Sequence, residues 1–406
     1  MSRIVLGVSG GIAAYKACEI VRRLRDVGHE VTVVPTANAL KFVGETTFAA
    51  LSGRPVATDV FASAENIPHV RLGREADLVV VAPATADLIA RQAGGRAEDL
   101  LTNVLLTATC PVLVCPAMHT EMWHNPATVH NVGVLRSRGI VVLDPAEGRL
   151  AGPDSGVGRM PEPAEIVEVA ASLLDGDVAG AARRRDLSGL RVVVSAGGTH
   201  EAIDPVRFIG NASSGLMGVA LARAAALRGA EVTLVGANLS VTPPSSVTLR
   251  TVGTTGDLFA AMTEVATDAD VVVMAAAPAD FTPVEPSATK VKKSGNAGLV
   301  LELTQTPDIL AALGRSRRDG QTIVGFAAET VSDPAALIEA GRAKLARKGA
   351  DLLVVNDVSD NMVFGRSETT VMIVDAAGVR ASATGSKTVV AHRILDAVVQ
   401  YRATAK

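Results

Sequence analysis

The sequence predicts an α/β protein of two domains, each a mostly parallel sheet with helices on both faces. Three observations carry that prediction. At 406 residues the chain exceeds one ordinary hydrophobic core, so two domains of about 180 to 220 residues are expected. Strand-sized segments such as Ala76-Asp-Leu-Val-Val-Val-Ala-Pro and Ala269-Asp-Val-Val-Val-Met-Ala-Ala-Ala are almost continuously apolar, as strands covered on both faces must be. Each half also opens with a strand, a Gly-containing turn and a helix, the start of a Rossmann-like domain.

In the first half, Ile4 to Val8 is an apolar strand that runs into Ser9-Gly-Gly. The helix after it carries Ile12, Ala13, Ile20, Val21, Leu24 and Val27 at helical spacing and ends at Gly28. Glu30-Val-Thr-Val-Val-Pro is the next strand and Ala76 to Pro83 a third. Pro111-Val-Leu-Val-Cys-Pro is a fourth, after a helix over Leu100 to Thr107. The second half repeats the plan with strand Leu190 to Ser195, helix Ser213 to Arg228, strand Glu231 to Gly236 and strand Ala269 to Ala277. The likeness is one of architecture, without a residue-level repeat. The stretch from Asp175 to Gly189 is polar, Gly-containing and non-periodic, which predicts a linker over residues 179–187 between domains at 1–178 and 188–406.

Composition narrows the function classes. Residues are 48% hydrophobic and 20% charged, as in a packed globular protein. A formal charge of -3 gives no footprint for nucleic acid or an anionic membrane. The longest apolar runs fall well short of the roughly 20 residues that span a bilayer, and Ile4-Val-Leu-Gly-Val reads as a strand, not a secretory leader. Cys18, Cys110 and Cys115 form neither an even set nor a CxxC, so buried thiols in a reducing cytoplasm are expected.

Candidate site residues in the first half lie at strand ends. Ser9-Gly-Gly-Ile-Ala-Ala-Tyr-Lys puts Gly10 and Gly11 where backbone N–H groups and a helix start meet a phosphate; no GxGxxG is present. Thr36 ends the second strand. Ala82-Pro-Ala-Thr-Ala-Asp, with Thr85 and Ala86, and Pro116-Ala-Met-His-Thr-Glu-Met-Trp, with Met118 and His119, end two others, on the sheet edge where ligands bind.

With Asn66-Ile-Pro-His-Val-Arg-Leu and Gly158-Arg-Met, these segments resemble the FMN-dependent cysteine decarboxylase family over residues 1–178. The resemblance implies a flavodoxin-like domain holding FMN through Gly10, Gly11, Thr36, Thr85, Ala86 and Met118, with His69 as the base. Its chemistry is oxidation of a C-terminal cysteine to a thioaldehyde, so that electrons released with CO₂ delocalise onto sulfur; histidine suits proton transfer near neutral pH. Two departures stand out. His119 replaces the family's Asn and is read as the substrate contact. Gly152 replaces the cysteine that protonates the enethiolate in bifunctional members, leaving Asp154, Ser155 or water as the donor.

In the second half, a long polar loop follows the first strand: Ser195-Ala-Gly-Gly-Thr-His-Glu-Ala-Ile-Asp-Pro-Val-Arg-Phe-Ile-Gly-Asn-Ala-Ser-Ser-Gly. Plain connections in α/β units run about two to six residues. Thr289-Lys-Val-Lys-Lys lies in a Gly/Ser/Pro-bounded loop suited to closing over a ligand, and no GxxxxGK[ST] occurs. Over residues 188–402 these motifs resemble the 4'-phosphopantothenate–cysteine ligases, which activate a carboxylate with CTP as an acyl-cytidylate before the amine attacks.

That resemblance implies Lys290 as the catalytic lysine of a strap, Asn211 as a contact of the acyl-cytidylate and Arg207 as a substrate contact. It assigns CTP to Ala275, Ala276, Ala277, Asp280, Lys290, Pro307, Asp308, Ile309, Leu310 and Phe326. Lys344 and Lys348, four apart on a helix, complete the set, and Asp280 is also read as a Mg²⁺ ligand. Together the halves resemble the bifunctional enzymes that convert 4'-phosphopantothenate and cysteine to 4'-phosphopantetheine for coenzyme A. The family implies trimeric flavin domains and dimeric ligase domains, hence a homo-oligomer, a dodecamer. The alternatives are a two-domain flavin or NAD(P) oxidoreductase, and a ligase whose flavin half is regulatory or releases the enethiol.

Overall fold

A computed structural model describes residues 1–60, 67–150, 152, 154–292, 298–329, 334–357 and 368–404. Asn66, Ala151, Pro153, Lys293 and Thr330, which belong to motifs quoted above, lie outside the described residues. The chain forms two compact units, Met1–Arg184 and Arg185–Lys406.

In the first unit β1 (Arg3–Val8), β2 (Glu30–Pro35), β3 (Leu78–Ala84), β4 (Val112–Pro116) and β5 (Val141–Val142) form one parallel sheet in the order β2-β1-β3-β4-β5. Strand order reverses between β1 and β3, the crevice where doubly wound sheets bind ligands. Every residue of β3 and of β4 is buried. Leu88, Leu100, Leu101 and Val104 pack on Val79, Val81 and Val114 from the helices of one face. β6 (Ala146–Arg149) and β7 (Ser155–Arg159) form a separate antiparallel hairpin.

Two expectations need correction here. The helical stripe from Ile12 to Val27 is broken: Ile12–Tyr15 is a 3₁₀ turn and the α-helix runs only Lys16–Asp26. The tighter turn and the C-cap carry Ile12 and Val27 off the stripe, leaving them 61% and 60% exposed. The stretch read as a linker is helical over Gly176–Arg184, with Val178, Ala179, Ala181 and Ala182 buried. Its small residues pack without the large apolar side chains that signal a stripe.

In the second unit the strands are β8 (Arg191–Gly197), β9 (His200–Ala202), β10 (Phe208–Gly210), β11 (Glu231–Ala237), β12 (Thr248–Val252) and β13 (Val271–Met274). There follow β14 (Phe281–Pro283), β15 (Leu303–Gln305), β16 (Thr322–Glu329), β17 (Leu352–Asp357), β18 (Glu368–Asp375) and β19 (Gly378–Ser386). Eight make one sheet, β12-β11-β8-β13-β16-β17-β18-β19. Its first six strands are parallel in Rossmann order, with the reversal between β8 and β13; β18 and β19 extend it antiparallel. β9–β10 and β14–β15 are hairpins outside it, so the long polar loop and the strap region carry strands of their own.

The helix Leu216–Leu227 and the helix Lys387–Thr404 cover one face with Val219, Ala222, Ile394 and Val398; Leu258, Met262 and Leu313 cover the other. Gly218 lets the first helix lie directly on β8. A Cβ there would stand 2.4 Å from the Cβ of Ala196 and 2.7 Å from the carbonyl oxygen of Ser195, atoms that cannot swing away. Gly218→Ala is therefore expected to destabilise the unit by about 1–3 kcal/mol through overpacking. Urea denaturation would measure this, and unchanged stability would show that the helix can lift at no cost.

Candidate functional site

At the first sheet's reversal point, Ser9 ties β1 to the end of β3. Its Oγ donates to the carbonyl of Pro83 (2.8 Å) and accepts the N–H of Thr85 (2.9 Å). Thr85 caps the helix Ala86–Ala93 by accepting the N–H of Leu88, which puts Ala86 in that helix's first turn. Gly10 approaches Asn38 so closely that a Cβ would lie 2.4 Å from the Asn38 Cβ, and the methyl of Thr85 stands beside Gly11. Thr36 is buried just after β2, its Oγ1 accepting the N–H of Ala39. The predicted Gly10, Gly11, Thr36, Thr85 and Ala86 thus gather round one crevice. A glycine turn and hydroxyls suit a phosphate ester, and the half-buried Met118 suits an apolar ring.

The hairpin β6–β7 rests on the segment after β4. Met118 donates its N–H to the carbonyl of Gly158 at 2.9 Å. His119 Nδ1 lies 3.1 Å from Asp154 Oδ2, and both side chains are about half exposed. The two positions where this chain departs from the resemblance therefore meet through Asp154, which borders Gly152. His69 stands apart from these contacts, on the helix Pro68–Glu75, where Thr107 Oγ1 donates to its carbonyl at 2.9 Å. Its Nδ1 is buried with no hydrogen-bond partner among the described residues. The three cysteines are free. Burial pushes the thiols of Cys18, Cys110 and Cys115 up, so none is poised as a thiolate. Only Cys115 is fully buried; the other two are half-buried, short of expectation.

In the second unit a cavity of about 830 Å³ opens at the C-terminal ends of β13, β16 and β17, beside the loop that leads into the helix Leu216–Leu227. Asn211, Ala275, Ala276, Ala277, Asp280, Pro307, Asp308, Ile309, Leu310, Phe326, Lys344 and Lys348 all line it. Ser195 Oγ accepts the N–H of Ala276 (3.0 Å) and Thr199 Oγ1 that of Ala279 (2.8 Å), which fixes the segment after β13. Asn211 donates from Nδ2 to the carbonyl of Pro278 at 2.8 Å. Asp308 caps the helix Ile309–Ser316 and pairs with Lys348. Burial would raise the Asp308 pKa, but the bond from Lys348 and the N–H of Ala311 hold it below the ordinary carboxylate range. Among the described residues no group of three or more His, Cys, Asp or Glu could hold a metal ion.

Lys290 and Arg207 do not line this cavity; Arg207 is tied to the strap through Val291, the residue after Lys290. Val291 donates its N–H to Asp204 Oδ2 at 3.1 Å, and Arg207 pairs with Asp204 at 3.0 Å while donating to the carbonyl of Val291. Sequence reasoning passed over several residues. Ser195 opened the motif yet received no role, and Glu201, buried against Thr255 by two 2.8 Å bonds, had only its place in a polar loop to signal it. Lys387, which also lines the cavity, lies far outside every quoted motif.

A doubly wound unit with a phosphate-sized turn at its reversal, followed by a Rossmann-ordered unit with a lysine-bearing cavity at its own, defines a two-site α/β protein built for phosphorylated small molecules. Residues 1–175 match the Flavoprotein family and residues 187–401 the DNA/pantothenate metabolism flavoprotein C-terminal domain. The coenzyme A biosynthesis bifunctional protein CoaBC of Mycolicibacterium smegmatis is 52% identical, covering 98% of this chain and 97% of its own. Those of Vibrio vulnificus and Escherichia coli K12 are 39% identical (98% and 97% covered) and 42% identical (88% and 86% covered). A crystal structure of the C-terminal domain of a CoaBC protein covers 53% of this chain and 97% of its own at 34% identity and a TM-score of 0.44. The chain belongs to the CoaBC family of bifunctional coenzyme A biosynthesis proteins.

Asp204 yields a prediction about the strap. Burial would raise its pKa, but the N–H groups of Val206, Arg207 and Val291, with the charge of Arg207, hold it below the ordinary range. A carboxylate depressed on folding contributes stability that is complete above the unfolded pKa, about 4, and lost as pH falls through the lower folded value. Asp204→Asn is expected to speed trypsin cleavage after Lys290 and Lys292 at neutral pH. Its stability deficit against wild type should vanish as pH falls below 4; a deficit constant across pH would mean the charge is not what holds the loop.

Proposed function

We infer that this chain catalyses both joining of 4'-phosphopantothenate to cysteine with CTP, in residues 188–406, and decarboxylation of the product to 4'-phosphopantetheine, in residues 1–178. The observation that carries this reading is the convergence of five chain segments, named from sequence alone, on one cavity at the β8/β13 reversal. Joining a carboxylate to an amine requires activation, and a triphosphate needs cations around it. Lys344 and Lys348 stand on the cavity wall; Lys290 sits on the tethered strap, placed to close over bound nucleotide. Asn211 presents its amide at the cavity mouth to the activated acyl group. Asp280 is the proposed Mg²⁺ contact, supported by its place on the cavity wall and its carboxylate oxygens.

In the N-terminal half the phosphate-sized crevice at Gly10, Gly11, Thr36 and Thr85 fits FMN, with Ala86 and Met118 beside it. The bound flavin supplies the redox chemistry that lets CO₂ depart. The residues do the rest: His69, its Nδ1 without a hydrogen-bond partner among the described residues, takes the substrate's proton, and His119 holds its carboxylate. Asp154, against His119, is the proposed proton relay on the flap in the place where Gly152 offers none. A regulatory flavin half is not favoured, because relatives of the whole chain are bifunctional by name.

Assembly follows the same reading: trimeric flavin halves and dimeric ligase halves in a dodecamer, in the cytoplasm with its substrates. Support for the dimer is the exposed apolar strip Val206, Phe208, Phe281, Val284, Val300 and Leu303 on the arms of the second unit. Among the described residues no helix is long and apolar enough to cross a membrane.

Lys290→Ala is expected to cut CTP-dependent ligation by about two to three orders of magnitude while sparing decarboxylation of added phosphopantothenoylcysteine. His69→Asn should abolish CO₂ release with ligation and the flavin absorbance intact. Mass spectrometry of products from phosphopantothenate, cysteine and CTP reads both activities. A variant that disabled both without unfolding would overturn the two-site reading. Asp154→Asn should let the enethiol accumulate; full conversion to the saturated thiol would leave water as the donor.

A further inference from the structure

Lys387 opens the 18-residue helix Lys387–Thr404 and lines the same cavity as Ser213, Ser214 and Gly215. Three features make its charge costly in the ligand-free fold. The side chain is half-buried, and that burial lowers its pKa below the ordinary lysine value, with no neighbouring group restoring it. Among the described residues its ammonium makes no hydrogen bond or ion pair. It also sits in the first turn of a helix, where the positive end of the dipole opposes a cation.

Nothing in packing requires that arrangement. The position is at the cavity wall, and Ser386 already caps the helix by accepting the N–H of Val389 at 3.3 Å. Of the cavity's other two lysines, Lys348 is matched by Asp308, so its charge is balanced within the protein. The charge of Lys387 is not. Alongside it runs the helix Leu216–Leu227, whose N-cap Gly215 has no side chain to cap it; of its first N–H groups only that of Leu216 meets a side chain, in a long bond to Ser214 Oγ at 3.4 Å. Two helix starts and an unmatched ammonium therefore face one cavity. Buried cations persist in folded proteins when something neutralises them, and amide groups with an ammonium are the chemistry that receives phosphate.

We infer that Lys387 is a phosphate-binding residue of the C-terminal site, its ammonium taking a phosphate oxygen of a substrate seated against the glycine-capped start of Leu216–Leu227. The inference rests on the proposed ligase reading for the source of that phosphate, which is either the nucleoside triphosphate or the phosphorylated acid. No bond is made or broken by Lys387; it positions the anion.

The test uses the full-length protein, its Lys387→Gln and Lys387→Arg variants, and calorimetric titration with CTP–Mg²⁺ and with 4'-phosphopantothenate separately. Melting is measured without ligand in parallel. Lys387→Gln is expected to weaken one of the two ligands by about 10- to 100-fold. Lys387→Arg should recover part of the loss, and ligand-free melting should stay unchanged or rise because an unmatched cation has gone. Loss confined to CTP assigns the seat to the polyphosphate, and loss confined to the acid assigns it to the acid's phosphate; each supports the inference. Wild-type affinity for both ligands in Lys387→Gln overturns it, as does a drop in ligand-free melting accompanying the loss, which would mark a structural lysine. If the wild-type protein binds neither ligand, the ligase reading itself falls and this inference falls with it.

Discussion

Both sites depend on how tightly backbone packs where the first strand of each sheet ends. In the second unit, Gly197 has φ of +89°, and a Cβ on it would stand 1.9 Å from the carbonyl oxygen of Ala237. No side chain can occupy that space. β8 therefore ends against β11 with its backbone turned, and the following loop is steered over the strand ends. In the first unit Gly10 does the corresponding work against Asn38. Close approach is what leaves N–H groups facing ligand instead of being shielded by side chains.

The loops so launched are long and polar, and they are fixed by buried hydrogen bonds more than by apolar packing. Glu201, Thr255 and Thr199 form a chain of contacts at 2.8 Å that ends on the N–H of Ala279, next to Asp280. Asn238 bonds the carbonyls of Gly198 and Gly253 at 2.9 Å each. A buried hydrogen bond contributes about 1 kcal/mol net, but an unmet partner costs about 1–3 kcal/mol, so the network is stable only when complete. This is why the cavity wall is precise although much of it is loop.

The two sites divide polar work differently. The second unit lines its cavity with Lys344, Lys348 and Lys387, suited to polyanions whose charge must be met on several sides. The first offers a shallow glycine turn with a hairpin resting beside it, and the hairpin meets the site through His119 and Asp154. A contact that is half exposed on both sides contributes little to stability, so it does little to hold the hairpin down.

The sequence by itself determined the α/β class, the parallel strands and the segments that reach the sites. Those depend on local signals: continuous apolar runs, glycines after strands, and polar residues at strand ends. It could not show that Ile12 and Val27 leave the helical stripe, because neither the 3₁₀ turn nor the C-cap leaves a mark in the apolar spacing. Nor could it show the helix Gly176–Arg184, whose buried alanines carry too weak a periodic signal. Lys387 was illegible for a different reason. More than 170 residues separate it from the loop it faces, and only the packing of Lys387–Thr404 along Leu216–Leu227 brings the two to one wall. The His119–Asp154 contact likewise awaited the fold, since neither residue's neighbours in sequence indicate which strand end the hairpin will meet.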